Sequence, residues 1–309
     1  MASYQKLYQT GELKDRVERA RAILESCELC PRCCRANRLQ GETGMCRTGA
    51  EAVVSSYGPH FGEEAPLVGP HGSGTIFFTH CNLRCMFCQN YTISQLGQGV
   101  RASEGEIARM MLSLQQQGCH NINLVTPTHV VPQILEALQV AAGLGLHIPL
   151  VYNCGGYESV ETLKLLDGIV DIYMPDMKYS DERNARRFSG VKNYPQVNQE
   201  AVKEMHRQVG ELELDERGVA RRGLLVRHLV LPHGIAGTEE VVRFLAQEIS
   251  RNTYLNVMAQ YYPCHRAFNI PSLSRPLTKE EFAEAVKLAR TYGLERLDGV
   301  RPRTLARLL

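Results

Sequence analysis

Short apolar runs and helical patterns alternate along most of the chain. Each of six runs rich in apolar and β-branched residues is followed by a segment whose apolar residues recur at helical spacing. Strands of this kind, separated by helices, are typical of a parallel sheet buried on both faces. Six such units predict an α/β fold, a partial (β/α)6 barrel of TIM-like type. The predicted strands are 75–78, 122–125, 150–152, 169–173, 224–231 and 254–260, and the predicted helices are 103–117, 131–142, 158–166, 181–188, 198–209, 238–250 and 278–292.

The first 73 residues follow a different pattern. Apolar residues at helical spacing predict a helix over 11–26, and residues 52–57 alternate weakly, as an edge strand does. A connector rich in proline and glycine, 58–73, comes next, and we place a domain boundary at its end. The chain is therefore predicted to have an N-terminal, cysteine-rich extension, 1–73, and a barrel domain, 74–309.

Composition limits the class of protein more than it limits the fold. The formal net charge is +2, which gives no electrostatic case for binding nucleic acid or an anionic membrane. No apolar run approaches the ~18 to 20 residues that a membrane span needs. The first six residues lack the basic start and apolar stretch of a secretory signal. We therefore expect a cytoplasmic protein whose 11 cysteines are mainly reduced.

Three cysteines lie close together directly after the first predicted barrel strand: Cys81, Cys85 and Cys88. Closed structural zinc sites use four protein ligands, and cubane clusters of the ferredoxin type use four cysteines. Three thiolates would therefore leave one iron of a [4Fe-4S] cluster open to a reactive cofactor. The alternative is a zinc loop that borrows a fourth ligand such as His80.

Five further cysteines lie between residues 27 and 46. The first two have two residues between them, a third follows closely, and a fourth lies beyond a glycine-containing loop. This spacing is typical of a four-thiolate metal site. We expect the ligands to be Cys27, Cys30, Cys34 and Cys46, with Cys33 left over. Spacing does not distinguish zinc from an auxiliary iron-sulfur cluster, and free buried thiols are the simpler alternative.

Each predicted strand ends in polar, glycine or proline residues. In barrels of this class the carboxyl ends of the strands form one face, where functional residues gather. We therefore expect the active site at this face. The segments that would meet there are the three-cysteine loop, 126–129, 153–157, 175–178, 232–234 and 261–266.

The spacing Cys-x3-Cys-x2-Cys resembles the signature of the radical S-adenosylmethionine (SAM) superfamily. In that superfamily the open iron chelates the amino and carboxylate groups of SAM, and one electron cleaves SAM to methionine and a 5′-deoxyadenosyl radical that abstracts a hydrogen atom. The stretch 171–178 resembles the Asp-x-x-Met-x-Asp-x-Lys segment of glycyl-radical-enzyme activases, and 261–265 resembles their Pro-Tyr-His segment, with Cys264 in place of the tyrosine. From about residue 27 to 292, the chain is most similar to an uncharacterised branch of homologues of pyruvate formate-lyase activating enzyme.

This resemblance implies roles for residues outside the cysteine loop. Asn121 to Pro127 stands where the family usually has a Gly-Gly-Glu-Pro motif for the SAM amino group, which leaves Thr126 and backbone carbonyls for that contact. The implied cofactor contacts are Phe87 and Asn90 at the adenine, Asn153 at the ribose or amino group, and Arg227 at the carboxylate. The implied catalytic residues are Asp176, Lys178 and His265. The implied partners are a one-electron donor such as flavodoxin or ferredoxin, and a glycyl radical enzyme.

Two functions remain open at this stage. One is an activase that abstracts hydrogen from a glycine of a partner protein, and the other is a radical SAM enzyme that modifies a small molecule or peptide directly. A scaffold that only binds zinc or iron-sulfur would leave the strand-end residues unexplained. Individual residues also have simpler interpretations: Asp176 with Lys178 as a solvated ion pair, His129, His228 and His265 as packed histidines, and Cys119 and Cys154 as small buried residues.

Overall fold

The structure is a computed structural model that describes residues 2–298. Its α-helices are α1 Tyr4–Thr10, α2 Glu12–Ala22, α3 Ala65–Val68, α4 Tyr91–Ser94, α5 Glu104–Gln116, α6 Val131–Gly143, α7 Val160–Leu165, α8 Glu182–Ser189, α9 Tyr194–Val209, α10 Thr238–Phe244 and α11 Lys279–Thr291. Its strands are β1 Ala52–His60, β2 Ser73–Phe78, β3 Val100–Ala102, β4 Ile122–Val125, β5 Leu150–Cys154, β6 Ile172–Pro175, β7 Glu213–Leu214, β8 Ala220–Leu229, β9 Tyr254–Met258 and β10 Leu297–Asp298.

The strands form one largely parallel sheet in a mixed α/β fold. Over residues 2–298 the order is β10-β9-β8-β6-β5-β4-β2-β1-β3, with β7 paired to β8 beside this path. The strands from β2 to β10 along this order are parallel to their neighbours, and β1 is antiparallel to both β2 and β3. All six predicted strands and the helices that follow them are present, so the strand-helix alternation predicted from the sequence is confirmed.

The fourth predicted strand is displaced along the chain. It was expected at 169–173, and β6 occupies Ile172–Pro175. The side chain of Asp171 accepts hydrogen bonds from the backbone N–H of Ser3 at 2.8 Å and of Leu150 at 2.9 Å. The carboxylate of Asp171 therefore ties the start of β6 to the N-terminus and to the start of β5, at the amino ends of these strands.

Strand β1 is longer and more central than predicted. The edge strand expected at 52–57 extends to His60 and pairs on one side with β2 and on the other with β3, so the edge assignment was wrong. The short strand β3 was not predicted. Because β1 belongs to the same sheet as β2, the residues before the connector contribute directly to the sheet. The domain division at residue 73 stays a prediction.

The N-terminal region contains two helices rather than one. Gly11 lies between α1 and α2 with a φ of 82°, a left-handed conformation that glycine adopts without steric cost. The fully buried Tyr4 of α1 donates from its hydroxyl to the carbonyl of Ile148 at 3.0 Å, just before β5. The N-terminal helices are therefore fixed to the protein near the amino end of β5. Within residues 2–298, no helix is long and apolar enough to cross a membrane.

Candidate active site

A cavity of about 870 Å³ opens at the carboxyl ends of the parallel strands. Side chains from the loop after β2 and from the ends of β4, β5, β6 and β8 reach it, although they are far apart in the sequence. The predicted site residues that line it are Cys81, Cys85, Cys88, Asn90, Thr126, Asn153, Asp176, Lys178 and Arg227. Nine residues proposed for the chemistry of one site thus share one cavity.

The cysteine loop is held in place by apolar packing and by backbone hydrogen bonds. Leu83 and Phe87 are buried in an apolar cluster beside the cavity. The backbone N–H of Arg84 donates to the carbonyl of Ser189 at 3.1 Å, and that of Met86 donates to the carbonyl of Phe188 at 2.7 Å. Because these contacts anchor the loop to the end of α8, the three thiols have fixed positions at the cavity wall.

Each thiol of this loop has a hydrogen-bonding partner. The N–H of Leu83 donates to Cys81 Sγ at 3.3 Å, and the Ser189 hydroxyl donates to Cys85 Sγ at 3.0 Å. Cys88 Sγ lies 3.2 Å from the hydroxyl of Ser94. Hydrogen bonds to cysteine sulfur are one of the means by which proteins tune iron-sulfur clusters.

Burial affects the ionisation of these thiols. Burial raises the pKa of Cys81 and of Cys85, so a nearby positive charge, such as that of a metal, is needed for them to act as thiolates. Over residues 2–298, no three His, Cys, Asp or Glu side chains are gathered closely enough to hold a single metal ion. Metal binding by these thiols stays a prediction at this point.

A buried network of charged groups also lines the cavity. Arg227 donates from Nε to Asp176 Oδ1 at 2.8 Å and from Nη2 to Asn153 Oδ1 at 2.7 Å, and Lys178 donates from Nζ to Asp176 Oδ2. The side chains of Lys178 and Asp176 are only 15% and 11% exposed. The interpretation of these two residues as a solvated ion pair was therefore wrong.

The charges in this network determine the ionisation of Asp176. Burial alone would raise the pKa of this carboxyl, but the charges of Arg227 and Lys178 outweigh burial and hold the pKa below its usual range. Burial lowers the pKa of Lys178, and Asp176 more than compensates and raises it. At neutral pH the network thus consists of one carboxylate between two cations.

Two carboxyl groups that the sequence analysis missed also line the cavity. Glu64 accepts from Asn256 Nδ2 at 2.9 Å, and its Oε1 lies 4.0 Å from Arg227 Nη1. Burial and the neighbouring Glu64 raise the pKa of Glu63 to about 7. Both belong to the connector 58–73, which was used only as a domain boundary. The pair of adjacent acidic residues in an otherwise Pro- and Gly-rich segment was the available signal.

Two of the predicted site residues do not line the cavity. Phe87 is 5% exposed and packs edge-on against Tyr179 and Tyr261, with ring centroids 6.4 and 5.9 Å away. Its ring therefore anchors the cysteine loop instead of facing the space where adenine was expected. His265 stacks on Tyr91 at 4.7 Å between ring centroids. Neither expectation accounted for the aromatic partners that the fold supplies.

Two other histidines fit the simpler interpretation as packed residues. His228 contacts the carbonyl of Met177 through Nδ1 at 2.7 Å and the hydroxyl of Thr238 through Nε2 at 3.0 Å. Burial lowers the pKa of His228 to about 4 and that of His129 to about 3, so both rings are neutral at physiological pH.

The N-terminal cysteines form a second group, beside a smaller cavity. The four cysteines chosen as ligands from the sequence line one narrow cavity: Cys27, Cys30, Cys34 and Cys46. Cys33 is exposed and does not line it. The four expected ligands thus share one cavity, and their selection and the metal itself stay predictions.

Comparisons with known proteins place this site in a family. The sequence model of the radical SAM superfamily matches residues 75–212, which include the cysteine loop and strands β2 to β6. The chain belongs to this superfamily and is a radical SAM enzyme, and membership implies a [4Fe-4S] cluster and SAM as cofactors. It is also 34% identical over 290 residues to the uncharacterized protein MJ0674 of Methanocaldococcus jannaschii, covering 91% of this chain and 79% of that protein.

Two solved structures overlap with part of this fold. A radical SAM methyltransferase from Sphaerobacter thermophilus is 16% identical with a TM-score of 0.48, and methylornithine synthase is 15% identical with a TM-score of 0.49. Each overlap covers 72% of this chain. The chain spans 64% of the first structure and 63% of the second, less than two thirds of either.

Proposed function

We propose that the protein cleaves SAM reductively and uses the resulting 5′-deoxyadenosyl radical to abstract a hydrogen atom from its substrate. The observation that carries this proposal is the single cavity shared by the three loop thiols and the charged network of Asp176, Lys178 and Arg227. When bound, the cluster supplies the electron for cleavage, and the protein positions the reactants and excludes water.

The roles of the chain follow from the positions of its side chains. Cys81, Cys85 and Cys88 would hold three irons of the cluster. Arg227 would bind the SAM carboxylate: its Nε and Nη2 are fixed by Asp176 and Asn153, which orients the guanidinium rigidly at the cavity wall. Asn90, Thr126 and Asn153 line the same cavity and would contact the remaining polar groups of SAM.

We further propose a glycyl radical enzyme as the substrate. The support is the resemblance of the segment 171–178 to activases, together with the position of Asp176 and Lys178 on the cavity wall. Asp171, from the same segment, instead bonds to Ser3 and Leu150 and has a structural role. The alternative function, direct modification of a small molecule or peptide, requires the same SAM cleavage without a glycyl radical partner.

Three further features belong to the same proposal. The parallel strands β2, β4, β5, β6, β8 and β9 would form the partial (β/α)6 barrel expected from the sequence. The protein would work in the cytoplasm with a one-electron donor such as flavodoxin or ferredoxin. The four N-terminal cysteines would bind a second metal centre.

Anaerobic reconstitution with iron and sulfide, followed by reduction in the presence of SAM, tests the cleavage reaction. We expect 5′-deoxyadenosine and methionine in equal amounts, and none from a Cys81→Ala, Cys85→Ala, Cys88→Ala variant. An active parent-like triple variant would refute the assignment of the loop.

The same assay, run with a candidate glycyl radical enzyme, separates the two functions. An activase should produce a glycyl radical detectable by EPR in the partner. Deoxyadenosine coupled to modification of a small molecule or peptide, with no partner radical, would establish the alternative.

A further inference from the structure

Three arginines lie at or next to the residues that anchor the cysteine loop. Arg84 belongs to the loop and is partly exposed, and Arg187 and Arg266 are exposed. The guanidinium of Arg187 lies 5.0 Å from the centre of the Phe188 ring, and the carbonyl of Phe188 accepts from the N–H of Met86. Arg266 donates from its backbone N–H to the carbonyl of Met86 at 2.9 Å. Because Met86 is part of the loop, all three arginines start beside it.

These three arginines have no partner of opposite charge. Within residues 2–298 none of them forms an ion pair with a carboxylate. Their neighbours on helix α8 differ in this respect: Arg183 lies 3.1 Å from Asp181, and Arg186 lies 3.5 Å from Glu182. The lack of a partner is therefore a property of the arginines around the loop and not of all exposed arginines in this region.

The segments that carry the three arginines are also free of acidic residues. The sequence has neither Asp nor Glu over 65–103, 183–199 and 249–279. The whole chain is nearly balanced, with a formal net charge of +2. Positive charge is thus concentrated around the loop, and a surface of one sign attracts partners of the opposite sign.

This basic surface lies outside the cavity. The three cysteines of the loop line the cavity, whereas Arg84, Arg187 and Arg266 do not. Under the proposed function, SAM and the substrate occupy the cavity. A protein that delivers an electron must then approach the loop from elsewhere, and the three arginines lie beside the loop without belonging to the cavity wall.

Two large apolar side chains are exposed at the same surface. Met45 is 45% exposed, and its Sδ lies 3.8 Å from Nη1 of Arg84. Phe268 is 64% exposed and follows Arg266 by two residues, in the 3-10 turn Ala267–Asn269. Protein interfaces are enriched in Arg, Met and aromatic residues and depleted in Lys, Glu and Asp. The composition of this surface therefore favours a protein as its occupant.

We propose that an acidic one-electron donor protein docks on the surface formed by Arg84, Arg187, Arg266, Met45 and Phe268, the donor surface. Opposite charges on two proteins steer them together and fix their relative orientation. The docked donor loses one electron, and the cluster held by the loop thiols gains it. No covalent bond is made or broken in this transfer, and no proton is required. The inference rests on the proposed function and adds the surface at which the electron enters.

Charge reversal of the two arginines outside the loop tests the donor surface. The Arg187→Glu, Arg266→Glu variant should lower the association rate with a flavodoxin about tenfold or more at low salt, because surface charges act mainly on association. The difference should shrink as the ionic strength rises above about 0.15 M, where the Debye length is about 8 Å. Anaerobic stopped-flow measurements at a series of salt concentrations give these rates.

A second pair of arginines provides the matched control. The Arg243→Glu, Arg290→Glu variant changes the net charge by the same amount on helices α10 and α11, which contribute no residue to the donor surface. Arg187→Gln, Arg266→Gln should give an intermediate loss, because it removes attraction without adding repulsion. Parental binding by the charge-reversed variant, an equal loss in the control variant, or no flavodoxin binding by the parent protein would overturn the proposal.

The choice of reductant separates docking from the chemistry in the cavity. Dithionite is small and needs no docking surface. The Arg187→Glu, Arg266→Glu variant should therefore cleave SAM at the parental rate with dithionite and more slowly with reduced flavodoxin. Equal losses with both reductants contradict the proposal. If the parent protein does not cleave SAM with dithionite, the proposed function has failed, and the binding of flavodoxin still tests the donor surface.

The same variants distinguish the donor from other partners. A single-stranded RNA oligonucleotide that binds through Arg187 and Arg266, while flavodoxin does not, would assign the surface to nucleic acid and overturn the proposal. The proposal is also wrong if the charge-reversed variant is reduced normally by flavodoxin but no longer forms a radical in a glycyl radical enzyme. That result would assign the surface to the substrate protein.

Discussion

Replacement of Arg227 by lysine tests whether the charged network binds the SAM carboxylate. The guanidinium of Arg227 bonds to Asp176 at 2.8 Å and to Asn153 at 2.7 Å, and its side chain is 18% exposed. Lysine would keep the positive charge but would offer a point contact in place of a rigid planar fork. We therefore expect weaker SAM binding without loss of the local charge.

The size of the effect can be worked from these contacts. Loss of one charge-assisted hydrogen bond in a largely desolvated site costs about 1.5 to 3 kcal/mol, which corresponds to roughly one to two powers of ten in SAM affinity. Arg227→Ala should be more severe, because it removes one of the two cations that pair with Asp176. Breaking a buried ion pair in this way costs about 3 to 5 kcal/mol of stability.

The assay is equilibrium binding of SAM to anaerobically reconstituted protein, together with the rate of 5′-deoxyadenosine formation. The iron content and EPR spectrum should not change, because the loop thiols are untouched. Arg221→Lys serves as the control, since Arg221 lies on the same strand, is 46% exposed and pairs with Asp215. If both Arg227 variants bind and cleave SAM like the parent protein, Arg227 is structural and Lys178 becomes the next candidate for the carboxylate.

Two further predictions concern the cavity. In the folded protein Glu63 keeps its proton up to a pKa of about 7, against 4.5 for the ordinary group, so the contribution of Glu63 to stability should fall as pH rises between these values and change no further above pH 7. Glu63→Gln should reduce this fall by up to about 3 kcal/mol, as measured by chemical denaturation at pH 5 and pH 8, and an unchanged pH dependence would contradict it. Gly156→Ala should lower both stability and SAM affinity, because a Cβ there would overlap the carbonyl of Asp176 at a φ of 71°. Gly145→Ala is the control, because its backbone is also strained but the added Cβ meets no atom within 4 Å. Equal losses of stability and SAM affinity in the two variants would show that displacement of Asp176 plays no part.

Much of the fold could be predicted because its signals are local. The alternation of apolar strands and helices depends on periodicity within single segments, and each of the six predicted strands is present. The errors arose where distant contacts override local preference. Asp171, just before β6, joins the N-terminus to β5, and β1 gains a second partner in β3.

The candidate site also has some features that the sequence predicts and others that it does not. The spacing of Cys81, Cys85 and Cys88, and the polar ends of the strands, are properties of the sequence itself, because parallel strands bring their carboxyl ends to one edge. The direction in which a side chain points depends on its neighbours. Phe87 and His265 pack against aromatic partners from other segments, and no local pattern predicts those partners.

By itself, the sequence determined the family, the order of the strands and helices, and the residue types available for chemistry, because periodicity and motif spacing are written along the chain. Only the tertiary structure decided which charges meet. It brought Glu64 from the connector to Arg227 on β8, and it placed Asn82 of the active-site loop in the wall of the cavity that the N-terminal cysteines line. Such pairings join residues far apart in the sequence, and burial then sets their pKa values and energies. Neither the pairings nor these values can be inferred before the chain is folded.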